Sequence, residues 1–186
     1  IGVSSERVAG FTRRLSEMTA TDASGAVKEL GNYANENGRD LEEVGEVGAT
    51  LINKLGIPVD KVGDSLQRLK DIAQDFSTVG GSLALERSLM RVAPALARLG
   101  GTFGQKAGLV AELGKGQAPE VAAETTQAVT GYLAHLDPIQ ATRKLRQLTR
   151  NPNYRPIEQD EQGRFVWKPE AIATLQKHFR RIPKSA

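Results

Sequence analysis

Cysteine is absent from this sequence, which excludes disulfide scaffolds, thiolate metal sites and cysteine nucleophiles. Histidine is nearly absent: His135 and His178 are the only two, they stand apart, and no spaced carboxylate cluster accompanies them. No metal site and no cofactor site is therefore expected. Aromatic residues make up only 5% of the chain, so the interior must be built from Leu, Val, Ile and Ala. That mixture suits close helix packing better than a sheet, where aromatic and β-branched residues are enriched. No run of about 18 apolar residues occurs, so no segment reads as a single membrane-spanning helix. The start, Ile1-Gly2-Val3, lacks the charged-then-apolar layout of a signal peptide. The end, HFRRIPKSA, trails off a helical pattern, and the sequence is expected to be a piece of a longer protein.

What the chain does have is punctuation. In the stretch from Gly80 to Leu136, helical patterns are closed by glycine and reopened by a capping residue. Ser82 is placed as an N-cap, with Leu83, Leu89, Val92, Leu96 and Leu99 following at three- and four-residue spacing on one helical face. Pro94 falls inside that helix and predicts a bend near Ala93, while Gly100-Gly101 are expected to end it. Thr102 and Gln105 form a capping-box pair opening the next helix, which carries Phe103, Leu109, Val110 and Leu113 and stops at Gly114. Pro119 starts a third, with Val121, Val129, Leu133 and Leu136 as its apolar face.

The same grammar runs through the rest. Ser4 or Ser5 caps a first helix with Val8, Phe11, Leu15 and Met18 on one stripe, and Thr21-Asp22 breaks it. A second carries Ala26, Val27, Leu30, Tyr33 and Ala34. Asp40 and Glu43 open a third, with Leu41, Val44, Val47, Leu51, Ile52 and Leu55, closed by Gly56. Pro58 begins a fourth, with Val59, Val62, Leu66, Leu69, Ile72, Ala73 and Phe76 inward. Asp137-Pro138, with Gln140 completing the box, restarts the chain after the central block. Ile139, Leu145 and Leu148 then form a narrow apolar stripe beside Arg143, Lys144, Arg146 and Arg150. At NPNYRP the character changes to turn formers. Ile157 and Phe165-Val166-Trp167 read as the arms of a hairpin turning through Asp160–Gly163, with Trp167 as its anchor. Pro169 opens a last helix with Ala171, Ile172, Leu175 and Phe179 inward. The expected fold is mainly all-α, a multi-helix bundle or array of short helices with a small β-hairpin near residues 157–167. Residues 1–150 are expected to form a helical domain, and residues 151–186 a hairpin plus helix packed on it.

Charge is uneven along the chain. Residues 1–76 carry 9 basic and 13 acidic side chains, and residues 137–186 carry 11 and 5. Such asymmetry gives faces of opposite sign that could meet partners or other copies of the chain. Arg143, Lys144, Arg146 and Arg150 are the candidate interaction face. With Arg155 they could also contact phosphates, but aromatics do not interleave them, and specific nucleic-acid binding is not expected.

Catalytic motifs are missing. In GLVAELGKG, Gly108 and Gly114 are too far apart for a phosphate loop, and Gly116 stands where Ser or Thr would hold magnesium. GGTFGQKAG lacks the preceding strand of a dinucleotide fingerprint. Glu42, Glu43 and Glu46 sit at a helix start, where the dipole favours acids, rather than across a cleft. His135, between Ala134 and Leu136, reads as a packing or surface residue.

Three features give the chain a family resemblance. Helix pairs are joined by short turns of glycine and small residues, as in NKLGIPVDKVGDSLQRL and ARLGGTFGQKAGLVAEL. MRVAPALARLGGTF sets an internal Ala-Pro before a Leu-Gly turn, and DEQGRFV precedes PEAIATLQKHF. Together these resemble the conserved helical region of phage tail tape measure proteins, a minor tail family, over most of residues 40–180. The segments TGYLAHL and TRKLRQL depart from that family's Gly-Thr-Ala-Leu-Arg-Arg phrase.

The resemblance implies a non-enzymatic structural protein of the virion tail, made in the host cytoplasm. Such a protein sets tail length, guides assembly of the tube around it and leaves at genome ejection. Its implied partners are tail tube and tail-tip proteins, tail assembly chaperones, further copies of itself and, through the full-length protein, the host membrane. A fully extended helix of this length would measure roughly 280 Å, but the glycine stops predict a region folded back on itself. Two other readings remain open: a non-viral helical adaptor binding through the basic helix, and a fragment of a tail-associated cell-wall hydrolase.

Overall fold

Helices end where the sequence runs out of side chains that can continue them, and in this protein that happens every dozen residues or so. The computed structural model describes residues 4–179, and the chain divides into two compact units, residues 1–70 and 71–186. The fold is mainly α-helical, an array of short helices with one small antiparallel hairpin. The unit boundary falls near Lys70, inside a helix, whereas the sequence placed a division at residue 150. The hairpin and last helix belong to the second unit because they pack on helices of residues 71–150.

The first unit is built from α1 (Ser5–Thr19), α2 (Ser24–Glu36), α3 (Leu41–Asn53), a 3₁₀ turn (Val59–Lys61) and the beginning of α4 (Val62–Asp75). Ser4 caps α1 by accepting from Arg7 N–H, and Asp40 caps α3 by accepting from the N–H groups of Glu42 and Glu43. On α1 the buried residues are Phe11, Leu15 and Thr19. Val8 and Met18, expected on the same stripe, are exposed. Spacing of four along Phe11, Leu15 and Thr19 makes a narrower face than the sequence suggested, and Val8 and Met18 flank it.

What α1 and α2 lie against is a glycine surface on α3. A Cβ on Gly45 would collide with the Phe11 ring, and one on Gly48 would lie 2.9 Å from Leu30 Cδ1. Without side chains at these two positions, the ring and the leucine sit directly on the α3 backbone. Around them Ala26, Val44, Leu51, Val62, Leu66 and Leu69 complete the core.

The second unit contains α5 (Gly81–Leu96), α6 (Phe103–Leu113), α7 (Pro119–His135), α8 (Pro138–Thr149), β1 (Ile157–Gln159), β2 (Phe165–Trp167) and α9 (Pro169–Phe179). α5 packs on α6 and α7, α6 on α7 and α9, and α8 on α9. Leu85, Leu89, Val92 and Leu96 of α5, and Leu109, Val110 and Leu113 of α6, are core residues. The Thr102–Gln105 capping box and the first-position prolines of α7 and α8 are present. At Asp137 the cap is the Asp137 carboxylate alone, accepting from Ile139 N–H.

Three expectations change in this unit. Ser82 does not cap α5: Gly80 and Gly81 take left-handed φ values of 84° and 70° and turn the chain straight into the helix. α5 ends at Leu96, in the turn that holds Pro94, rather than at Gly100-Gly101. A proline has no N–H for the helical ladder, and the backbone tightens instead through Arg98 N to Ala95 O and Leu99 N to Leu96 O. On α7 the buried face is Ala122, Thr126, Val129, Thr130 and Leu133, with Val121 exposed and Leu136 half-buried. Small residues win there because α7 lies close along α5. Of the inward residues expected on the last helix, Ala171, Ile172 and Leu175 are buried, and Phe179 lies outside the residues whose side chains are described.

Candidate functional site

α8 buries Ala141 and Leu145 and leaves the rest of its surface outside. Ile139 and Leu148, expected as part of its inward stripe, are exposed, Ile139 to 73% of its surface. Its buried edge is short, and the helix packs on α9. Its open side borders a groove of about 860 Å³ whose other wall is the hairpin. Ile139, Ile157 and Phe165 supply apolar surface, and Arg143, Arg146 and Arg150 line the helix side. Spacing of three and four places these arginines on one helical face, while Lys144 falls on the adjacent one. The groove therefore gathers three of the four candidate interaction residues. Arg155 does not line it.

Among the described lining residues the three arginines outnumber the two acids, Asp137 and Glu158. Among the described residues no carboxylate forms an ion pair with Arg143, Arg146 or Arg150. Two acids border the groove, and both are engaged: Glu158 pairs with Lys168 at 3.2 Å, and Asp137 caps α8. Arg146 is held in place by donating Nε–H to the Tyr154 carbonyl at 3.0 Å.

The wall formed by the hairpin is fixed by a clasp that the sequence reading did not contain. Asp160 accepts from the N–H groups of Gln162 and Arg164 at 3.0 and 2.8 Å, from Arg164 Nε at 3.0 Å, and from Gly101 N–H at 3.3 Å. Gly100 N–H donates to the Phe165 carbonyl at 2.8 Å. Burial alone would push the Asp160 carboxyl up; the donors from Arg164, Gly101 and Gln162 outweigh it and hold it below the usual carboxylate range. A Cβ on Gly100 would stand 2.8 Å from the Arg164 carbonyl oxygen, and Gly101 has φ 104°. Gly100-Gly101 are thus the seat of the hairpin rather than a helix terminator. Trp167, the expected anchor, is buried.

Lys106 of α6 is buried beside this clasp. Burial, reinforced by the Arg164 guanidinium, holds its ammonium below the usual lysine range, and the Asp160 carboxylate works the other way. Nothing in the local pattern marked Lys106 as buried, and the charges that act on it, Arg164 and Asp160, lie more than fifty positions away in sequence.

The remaining sequence candidates have structural employment. Glu42 pairs with Arg14 at 2.8 Å and Glu43 with Arg39 at 2.8 Å. GLVAELGKG is the second half of α6 and its cap at Gly114. His135 is an exposed residue at the end of α7, its Nε2 3.0 Å from Arg98 Nη1. The His178 side chain lies outside those described. No group of three or more metal-ligating side chains occurs among the described residues, and no described helix is long and apolar enough to cross a membrane. The chain matches no protein-family model, no curated protein and no solved structure.

Proposed function

We propose that this chain is an assembly part of a phage or prophage tail, a segment of a tape measure protein that works through contacts between packed helices and without catalysis. In that role it contributes to tail length determination, tube assembly and genome ejection, alongside tail tube and tail-tip proteins, assembly chaperones and further copies of itself. The observation that carries the reading is the clasp. The Leu99-Gly100-Gly101 turn and the Asp160-Glu161-Gln162-Gly163 hairpin are two of the phrases on which the resemblance rests. Some sixty residues apart in sequence, they meet through Gly100 N to Phe165 O and Gly101 N to Asp160 Oδ2. That the two phrases hold one another makes them parts of one structural unit in this chain, rather than two unrelated helix punctuations.

The test is assembly. The purified chain is expected to co-sediment with polymerising tail tube subunits encoded beside it, and to associate with itself in solution. A chain that stays monomeric and ignores the tube, or that is flanked by genes unrelated to tails, refutes the proposal. One observation favours a second reading: the arginine-edged groove would equally suit a helical adaptor with no viral role, which would remain monomeric until its partner is added.

A further inference from the structure

The two edges of the hairpin are not equivalent. Asp160 N donates to Arg164 O, and Lys168 N donates to Pro156 O. With the register Ile157↔Trp167, Glu158↔Val166 and Gln159↔Phe165, this makes 156, 158 and 160 the positions whose backbone groups face β2. Ile157 and Gln159 therefore turn their N–H and C=O groups outward. On the opposite edge the Phe165 carbonyl is taken by Gly100. On the β1 edge, among the described residues, no backbone or side-chain bond reaches the outward groups of Ile157 and Gln159. All three residues of β1 border the groove, together with exposed Ile139 and Phe165 and the unpaired guanidinium groups of α8.

An open strand edge, apolar surface beside it and three cations along the facing helix specify a ligand between them. We propose that the groove takes an extended acidic segment of a partner protein. The segment adds as a third strand on the outer edge of β1, sets carboxylates against Arg143, Arg146 and Arg150, and lays alternate apolar side chains on Ile139 and Phe165. Backbone pairing favours an extended ligand over a helix, whose N–H and C=O groups are already used. The excess of arginine over acid in the lining selects acidic over basic segments. The inference rests on the reading of the chain as a part that works by protein contact, and it names the kind of contact.

A synthetic peptide of about ten residues alternating glutamate and valine is a suitable probe, long enough to span the short strand and both ends of the groove. Trp167 is the single tryptophan and lies in β2, so its fluorescence reports the event. Saturable binding is expected. Arg143→Glu, an exposed substitution that circular dichroism should show to be folded, is expected to weaken it about tenfold. The same peptide with every backbone amide N-methylated keeps its charge but has no N–H to offer a strand edge, and is expected not to bind. Equal binding of the methylated peptide, indifference to Arg143→Glu, or tighter binding of an oligothymidylate of equal charge would each overturn the proposal. A chain that co-sediments with tube subunits yet binds no peptide also overturns it, while leaving the tail reading in place.

Discussion

Glycine is used in opposite ways in the two units. In the first, Gly45 and Gly48 sit in the middle of α3 and are covered by side chains, the Phe11 ring and Leu30. In the second, Gly100 sits in a turn and is covered by backbone, the Arg164 carbonyl of the hairpin. The first arrangement brings helix against helix and needs no hydrogen bond across the contact. The second brings a strand against a turn and is closed by Gly100 N to Phe165 O and by the Asp160 carboxylate. A missing side chain permits close approach in both cases, but what approaches decides how specific the contact becomes.

The comparison can be broken most forcefully at Gly45. Gly45→Leu places a branched side chain where the Phe11 ring lies and should cost roughly 3 kcal/mol, read as a lowered denaturant midpoint. Pairing it with Phe11→Ala should recover part of that loss, because the obstacle is itself a side chain; purely additive losses would contradict the account. Gly100→Ala should cost about 2 kcal/mol and change Trp167 fluorescence. No second-site truncation should rescue it, since the obstacle is a carbonyl oxygen 2.8 Å away. A neutral Gly100→Ala would remove the clasp from the argument.

A smaller effect of opposite sign is expected on α7. Thr126 is fully buried and its Oγ1 has no hydrogen-bond partner among the described residues. Thr126→Val replaces that hydroxyl with a methyl of similar size and should raise stability by about 1 kcal/mol in urea unfolding.

The smallest effects are those of pH, and they sharpen the contrast because they belong to the second unit alone. With its folded value lowered, Asp160 contributes stability that is fully present above about pH 4 and lost as pH falls through that lowered value. Asp160→Asn should flatten the acid limb of the stability curve. Lys106 acts in the alkaline range: its folded value is also lowered, so the unfolded chain holds the proton more tightly. Stability should therefore rise as pH increases from that lowered value toward about 10.4, and Lys106→Met should abolish the rise.

Much of the fold could be read without coordinates. Asp40, Thr102 with Gln105, Pro119 and Asp137-Pro138 mark helix starts, because capping is local chemistry within one turn. The hairpin was legible from its alternating residues and turn formers, and β1 and β2 fall inside its expected arms. The misplacements have two causes. Ser82 was overridden by two left-handed glycines before it, and Val8, Met18, Val121, Ile139 and Leu148 were apolar at helical spacing yet lacked a neighbour to cover them. Of the candidate interaction residues, the spacing of Arg143, Arg146 and Arg150 put them on one face. That this face borders a groove, and that β1 forms the opposite wall, was not in the spacing.

The sequence by itself determined where the helices start, that leucine, valine and alanine would fill the interior, and that positive charge would gather toward the C-terminal third, because each depends on residues within a turn or on a count. Tertiary structure decided which apolar residues are covered, why Gly45, Gly48 and Gly100 carry no side chain, and that Asp160 reaches back to a turn at Gly101. Those outcomes depend on which segments meet across the fold, and no local pattern encodes a contact between residues 60 positions apart.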